Sequence, residues 1–380
     1  MKDKKKILIV MGRYLPGFRD GGPVRSTKNL VDQLGTEYDI RVVAYDRDVG
    51  DVEQYPNISL YDWNRVGNAL VYYVPEHGFT YKVLKDLASQ VDLVYLWGCF
   101  NKYTIKLLLL KRLGLIKKPV VIAGMGLFSP MAFKIKYRKK KVVTTVMNLL
   151  GLFKNVFWSA TSEMEVQEIQ QQVWTKDEHF FIAEDLPRKV DETPIKKEKK
   201  SGELKVVWIS RIAPKKNLIA AIRILQQISV KIEFTIYGPI FDSKYWEECE
   251  RELGKLPQNI EWRYKGNVDS ELVVQTLKKH HVFLFPTLGE NYGHVIQEAL
   301  SAGCPCILSD QTPWKDLEKE GVGYIYPVDS INEFVYAMET YAQMNENEYR
   351  NCSSAALEYA IKNSNKKSQS TGYRKIFDTL

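Results

Sequence analysis

Glu290 and Glu298 stand eight positions apart in the stretch Phe285–Trp314, FPTLGENYGHVIQEALSAGCPCILSDQTPW. Val282–Phe285 is a short apolar run fit for a buried parallel strand, and Pro286–Asn291 is turn-rich. Val295, Ile296, Ala299, Leu300 and Ala302 then recur at helical spacing until Gly303 and Pro305 stop the helix. A strand, a glycine-bearing loop and a helix start present free backbone N–H groups and a positive dipole end above the sheet, the usual seat of a phosphate. At roughly 1.5 Å per residue, the step from Glu290 to Glu298 spans at most about 12 Å, comparable with the length from a sugar ring past a diphosphate to a ribose. One carboxylate can then meet a sugar while the other accepts hydrogen bonds from ribose hydroxyls, the layout of a site for a nucleotide-sugar.

A second cluster carries the opposite charge. The apolar run Val206–Ser210 leads into Arg211, Lys215, Lys216 and Asn217, and an apolar helical stretch starts at Leu218. Cations at the carboxyl end of a strand, just before a helix, suit a diphosphate in the crevice where open α/β sheets bind ligands. Breaking a sugar–phosphate bond adds negative charge to the departing nucleoside diphosphate, so positioned cations stabilise the transition state more than the ground state. A basic surface loop is the plainer alternative. Asp46 and Asp48 have the spacing of a metal-holding acid pair, yet two acids in a loop are more often simply solvated. With cations already beside the phosphate, no essential metal and no cofactor are expected.

The Glu, seven residues, Glu pattern inside PTLGENYGHVIQEALSAGCP, with SDQTPW downstream, resembles the signature of glycosyltransferase family 4, retaining enzymes of the GT-B fold, here of the bacterial surface-polysaccharide type. The resemblance implies an α/β architecture of two doubly wound, Rossmann-like domains facing across a cleft. It implies that Arg211 and Lys216 contact the diphosphate and act with Glu290, which meets the donor sugar. Glu298 would hold the ribose, and Asn291, Tyr292, Gly293, His294 and Val295 would surround the phosphate. Gly238, in Tyr237-Gly238-Pro239, and Asn267 and Val268, after Lys265-Gly266, resemble segments that pack on the nucleobase. Gly21 and Gly22, ahead of Pro23 and Arg25, stand where the family has a glycine pair beside the diphosphate and acceptor. Gly124 and Met125, in Ala123–Pro130, follow a strand and would face the same cleft. Many members carry a histidine near that loop, and this chain has none there. His294 has two readings, a group in the site or a residue that caps or packs the helix start. Phe181–Pro187 stands where relatives often read Pro-Asn-Gly.

The activity implied is transfer of a hexose or N-acetylhexosamine from a nucleoside diphosphate, UDP rather than GDP, to a hydroxyl of a saccharide or lipid-linked saccharide. Three alternatives stay open. A relative of the same fold could epimerise or hydrolyse a nucleotide-sugar. A non-catalytic scaffold could bind membrane or polysaccharide. A dehydrogenase is disfavoured because GRYLPGFRDGG, not GxGxxG, follows the first strand.

These residues need a scaffold, and 380 residues with 45% hydrophobic composition suffice for two ordinary domains with real cores. Strands are expected at 7–11, 40–45, 69–74, 93–97, 120–123 and 156–160, then at 206–210, 232–237, 260–264 and 282–285, with amphipathic helices between them. The polar run KVDETPIKKEKKSGELK reads as a linker, giving an acceptor-side domain at 1–188, a linker at 189–204, a nucleotide-sugar domain at 205–355 and a terminal helix at 356–380. The resemblance implies that this last helix crosses back to the first domain. Apolar runs are too short or too interrupted to span a bilayer, and MKDKKK leads directly into a strand, so a cytoplasmic protein is expected. The five cysteines lack CxxC spacing and suggest packed thiols.

A net charge of +8 favours polyanions. Its densest cluster, Lys134, Lys136, Arg138, Lys139, Lys140 and Lys141, precedes the apolar Val142–Phe153 and suits either an anionic membrane surface or a solvated helix face. No nucleic-acid module accompanies the charge, so no nucleic-acid partner is expected.

Overall fold

The computed structural model describes residues 3–134, 137–366 and 368–380. The chain forms two compact units, Met1–Leu186 with Lys367–Leu380, and Pro187–Lys366.

The first unit is built on eight strands: β1 (Lys6–Val10), β2 (Asp39–Tyr45), β3 (Trp63–Val66), β4 (Ala69–Val74), β5 (Leu93–Trp97), β6 (Val120–Ala123), β7 (Phe157–Ala160) and β8 (Phe180–Ile182). Their order is β3-β4-β2-β1-β5-β6-β7-β8, parallel throughout except for β3 against β4. Side chains alternate across a strand, so a sheet covered on both faces needs unbroken apolar runs. Accordingly Leu8 and Val10 enter one core with Leu107, Met147 and Trp158. Ile7 and Ile9 enter the other with Leu30, Leu34 and the C-terminal Tyr373, Ile376 and Phe377.

The second unit has six parallel strands, β9 (Glu203–Ile209), β10 (Lys231–Tyr237), β11 (Ile260–Tyr264), β12 (Val282–Phe285), β13 (Cys306–Ser309) and β14 (Gly323–Tyr326), ordered β11-β10-β9-β12-β13-β14. This is the doubly wound order in which chain direction across the sheet reverses between β9 and β12, and ligands bind outside the carboxyl ends of the strands at that reversal. In the first unit the equivalent reversal falls between β1 and β5.

Four strands escaped the sequence reading: β3, β8, β13 and β14, each three or four residues long. The sequence WNRV of β3 is half polar because it is an antiparallel edge, joined to β4 by the turn at Gly67, whose φ is 57°.

The expected linker at 189–204 is corrected by packing. Lys197 and Lys199 are buried, and Lys197 Nζ donates to His280 O at 2.7 Å. Lys199 Nζ donates to Ala342 O at 2.8 Å and Met344 O at 3.1 Å, at the end of the helix Ile331–Gln343. The last carbonyls of a helix lack internal partners and carry its negative dipole end, so ammonium groups on long apolar stems seat there. A polar composition concealed a strap bound to the second unit. The terminal division also differs from the expected 356–380: the helix Glu346–Ser364 stays in the second unit, and the helix Ser368–Thr379 lies in the first.

No helix among the described residues is long and apolar enough to cross a membrane.

Candidate functional site

The loops after β9 and β12 are adjacent because their strands pair, with Val282 beside Val206 and Phe283 beside Val207. After β9 the chain turns through Pro214–Lys216 into Asn217, which has left-handed backbone (φ 54°) and starts the helix Leu218–Leu225. Asn217 Nδ2 donates to Pro286 O at 2.9 Å, and Leu288 N donates to Lys215 O at 2.9 Å. Thr287 Oγ1 lies 3.2 Å from both Lys215 O and Glu290 Oε1, and its single proton serves one of the two at a time. Loop thus binds loop. The result is a meeting of residues 74 positions apart: Lys216 Nζ lies 2.5 Å from Glu290 Oε1. The pair is largely dry, with side-chain exposure of 16% for Lys216 and 11% for Glu290. Low local dielectric strengthens such a pair and raises the cost of removing one partner.

Arg211 stands apart from this pair. Its guanidinium lies 5.1 Å from the centroid of the Phe241 ring and, among the described residues, makes no hydrogen bond or ion pair. A stacked guanidinium keeps its in-plane donors available to an oxyanion.

The helix His294–Ser301 begins at Gly293, whose left-handed φ of 79° favours glycine. Trp314 Nε1 donates to Tyr292 O at 2.6 Å, and the Tyr292 ring packs on His294 at 4.8 Å and on Trp314 at 5.6 Å, which fixes the entry to the helix. His294 therefore packs at the helix start beside the candidate phosphate seat. Val295 and Glu298 are buried, Glu298 one turn into the helix.

Gly238 ends β10 between its two neighbours: its N donates to Gly266 O, past β11, at 2.8 Å, and a Cβ there would sit 1.8 Å from Ser210 O, past β9. Its φ of 134° adds a second reason for glycine. Asn267 is exposed and Val268 half-buried after β11, three strands from β12, roughly 14 Å at sheet spacing. That separation matches the one between a nucleobase and a transferred sugar in an extended donor.

In the first unit Gly21 has a φ of 74° and precedes the helix Gly22–Leu34, and Arg25 N donates to Gly21 O at 3.2 Å. After β6, Met125 (φ 56°) and Gly126 (φ 64°) are both left-handed, and Leu127 N donates to Gly124 O at 3.1 Å, closing a tight turn. Left-handed backbone at a methionine costs about 1 kcal/mol or more and persists only where its surroundings impose it. The sequence reading missed the residue that imposes it, Glu165. Its buried carboxylate accepts from Gly126 N at 2.5 Å, Thr161 N at 2.7 Å and Thr161 Oγ1 at 2.8 Å. A Cβ on Gly124 would lie 2.6 Å from the same carboxylate. Ser162-x-x-Glu165 has the form of a capping box, which was the available signal. Ser162 Oγ does accept from Glu165 N at 3.2 Å, but the glutamate turns to the 124–126 loop.

The paired acids of the first unit hold protein groups. Asp46 binds Arg47 at 2.8 Å, and Asp48 accepts from Phe18 N, Arg19 N and Val49 N. Among the described residues no group of three or more His, Cys, Asp or Glu is arranged to hold a metal ion.

Lys136 and the Lys134 side chain lie outside the described residues. On the helix Tyr137–Leu149, Arg138, Lys139 and Lys141 are exposed alongside Val142, Val146 and Leu149. Lys140 does not belong to that face: its Nζ donates to Ala132 O at 2.6 Å and stacks toward Phe100. Arg112 Nε donates to Leu150 O at 3.3 Å, so exposed Leu113 and Leu115 continue the apolar surface.

Residues 189–359 match the family glycosyl transferases group 1, a span that contains every site residue of the second unit. No curated protein matches the chain. In fold it is similar to Anabaena HepE in complex with UDP and glucose, with TM-score 0.70, 15% identity, and 99% of this chain and 100% of that chain covered. It is similar to WaaG, a glycosyltransferase involved in lipopolysaccharide biosynthesis, with TM-score 0.64, 13% identity and coverage of 98% and 99%. It is also similar to an alpha,alpha-trehalose-phosphate synthase (UDP-forming) from Burkholderia vietnamiensis, with TM-score 0.66, 11% identity and coverage of 99% and 100%.

Proposed function

We propose that this chain, GT-B in fold and matching the group 1 glycosyl transferases over residues 189–359, is a retaining enzyme that moves a hexose or N-acetylhexosamine from a nucleoside diphosphate to a hydroxyl acceptor. The observation that carries this reading is the Lys216–Glu290 pair, with Arg211 on the preceding strand end, at the reversal point of the six-stranded sheet. A glycosyl transfer needs cations where the leaving diphosphate gains charge and a polar group beside the sugar, and these residues supply both. UDP is favoured over GDP because HepE and the trehalose-phosphate synthase are associated with UDP.

In the proposed cycle Arg211 receives the diphosphate first, since its guanidinium has no competing hydrogen bond or ion pair among the described residues. The donor phosphate then draws Lys216 from Glu290, and the released carboxylate accepts a sugar hydroxyl. Backbone N–H groups of residues 292–295 hold the phosphate, and Glu298 takes the ribose. In this proposal no carboxylate serves as a covalent nucleophile, and the departing phosphate oxygen removes the acceptor proton on the same face of the sugar, preserving configuration. Arg211 and Lys216 carry the charge that a divalent ion otherwise neutralises, and turnover in EDTA is the expected outcome. The acceptor is a saccharide or lipid-linked saccharide of polysaccharide or glycolipid synthesis, handled by the first unit. Exposed Val142, Val146, Leu149 and Leu150 beside Arg138, Lys139 and Lys141 support peripheral attachment to the cytoplasmic face of an anionic membrane.

Thermal shift against UDP, GDP, ADP and CMP and their sugars tests the donor site. A nucleotide-specific rise that Arg211→Ala and Glu298→Ala both lose supports it; no shift with any nucleotide sinks it in favour of a binding scaffold. Sugar release or epimer formation without an acceptor would replace transfer by hydrolysis or epimerisation.

A further inference from the structure

Three arginines of the first unit spend donors on carboxylates, Arg41 on Asp39, Arg47 on Asp46, and Arg374 on Glu37. Arg13 does not. It sits three residues past β1, at the carboxyl end of the strand where the eight-stranded sheet reverses, and its guanidinium lies 4.7 Å from the centroid of the Tyr45 ring. Among the described residues its buried Nε has no hydrogen-bond partner and Arg13 has no ion pair. The nearby acids of the β2 loop are committed, Asp46 to Arg47 and Asp48 to three backbone amides. Around it stand the rings of Tyr45 and Tyr103, 6.5 Å apart, and Tyr55, whose buried hydroxyl also lacks a partner. Burial raises the pKa of all three tyrosines, and the Arg13 charge works against that rise, which places the cation within electrostatic reach of their hydroxyls.

A buried polar group without a partner is uncommon and calls for a specific role. Stacked on a tyrosine face, a guanidinium directs its planar fork of donors outward, and that fork fits a phosphate or a carboxylate through two parallel hydrogen bonds. We propose that Arg13, backed by Tyr45 and flanked by Tyr103 and Tyr55, binds an oxyanion carried by the acceptor, either a phosphate of a lipid carrier or the carboxylate of an acidic sugar. The inference rests on the transferase reading above and assigns the acceptor its charge. A lysine would serve poorly here, because an ammonium offers neither the flat stacking face nor the two-pronged geometry.

The test is calorimetric titration of the full chain with geranyl diphosphate and, separately, with glucuronate, on the wild type, Arg13→Gln and Arg13→Lys. UDP affinity is measured first on each protein, and UDP is kept saturating so that the diphosphate probe does not enter the second unit. If wild type binds no UDP, the transferase reading falls while the Arg13 titrations still run without nucleotide. The expected result is that one probe binds wild type, is weakened about tenfold or more in Arg13→Gln, and is only partly recovered in Arg13→Lys, with UDP affinity unchanged. Geranyl diphosphate binding assigns the lipid phosphate; glucuronate binding assigns the acidic sugar. Equal affinity in Arg13→Gln, no binding of either probe to wild type, or a parallel loss of UDP affinity and melting temperature in Arg13→Gln would each overturn the proposal.

Discussion

The two units solve the same architectural problem and finish it differently. Each is a doubly wound parallel sheet with a reversal point, β1/β5 in the first and β9/β12 in the second. At β9/β12 the flanking loops are bonded to each other and a cation meets an anion, Lys216 on Glu290. In the first unit the strand-end loops are held instead by buried carboxylates, residues 18–19 after β1 by Asp48 and residues 124–126 after β6 by Glu165, and the cation Arg13 faces an aromatic ring. A preset ion pair suits a ligand part that never varies, such as a diphosphate. Loops shaped by buried carboxylates leave their outer faces free to suit a ligand that differs from one protein to the next.

The largest effect should come from dismantling the second unit's chemistry. Arg211→Ala removes a guanidinium with no hydrogen bond among the described residues, so stability should change by less than about 0.5 kcal/mol while kcat falls about 10²–10³-fold. Lys216→Ala should lower kcat as far and also destabilise the protein by about 2 kcal/mol, because Glu290 is left desolvated without its partner. Urea denaturation beside kinetics separates the two; equal stability losses would mean that the pair is not preset.

Acid should distinguish the units next. Burial pushes His280 and His281 down to about 4. His281 Nδ1 accepts from Lys205 N at 3.0 Å, a bond that protonation destroys. With folded values below the unfolded value near 6.5, the folded state excludes protons that the unfolded state binds, so stability is intact above pH 6.5 and is lost as pH falls toward 4. Each histidine contributes on the order of 3 kcal/mol at most. Melting temperature across that window should flatten in a His280→Gln, His281→Gln double variant, and an unchanged slope would assign the acid loss to other groups.

In the first unit Glu165→Ala should cost about 2 kcal/mol by leaving Gly126 N and Thr161 N without acceptors. Acceptor KM should rise with donor KM unchanged, and Glu165→Gln should recover part of the loss; recovery of stability without recovery of KM would leave Glu165 a purely structural residue. The smallest effect is at the surface. Val142→Asp with Val146→Asp should change stability by less than about 0.5 kcal/mol, yet reduce flotation with anionic vesicles and leave neutral vesicles unaffected; retained flotation removes the membrane proposal.

The core strands were legible to within three residues, the widest gap being at the start of β9, because a parallel sheet buried on both faces demands continuous apolar runs, as in Ile7–Val10 and Val282–Phe285. Strands such as β3 and β14 were not, since WNRV and GYIY are only partly buried and form no unbroken buried apolar run of the kind that marks Val282–Phe285. Lysines at 197 and 199 read as solvent-exposed linker because composition cannot say which carbonyls await an ammonium.

The sequence by itself determined the two-unit α/β plan, the glycines at 238 and 293 and the choice of acids and bases near the donor seat, because apolar runs, turn chemistry and local spacing act within a few residues. Only the tertiary structure decided that Lys216 would meet Glu290, that Glu165 would shape the Met125 turn, and that Arg13 would stand without a carboxylate partner. Those outcomes depend on which strands lie side by side, and strand order is set by the whole sheet rather than by any segment of the chain.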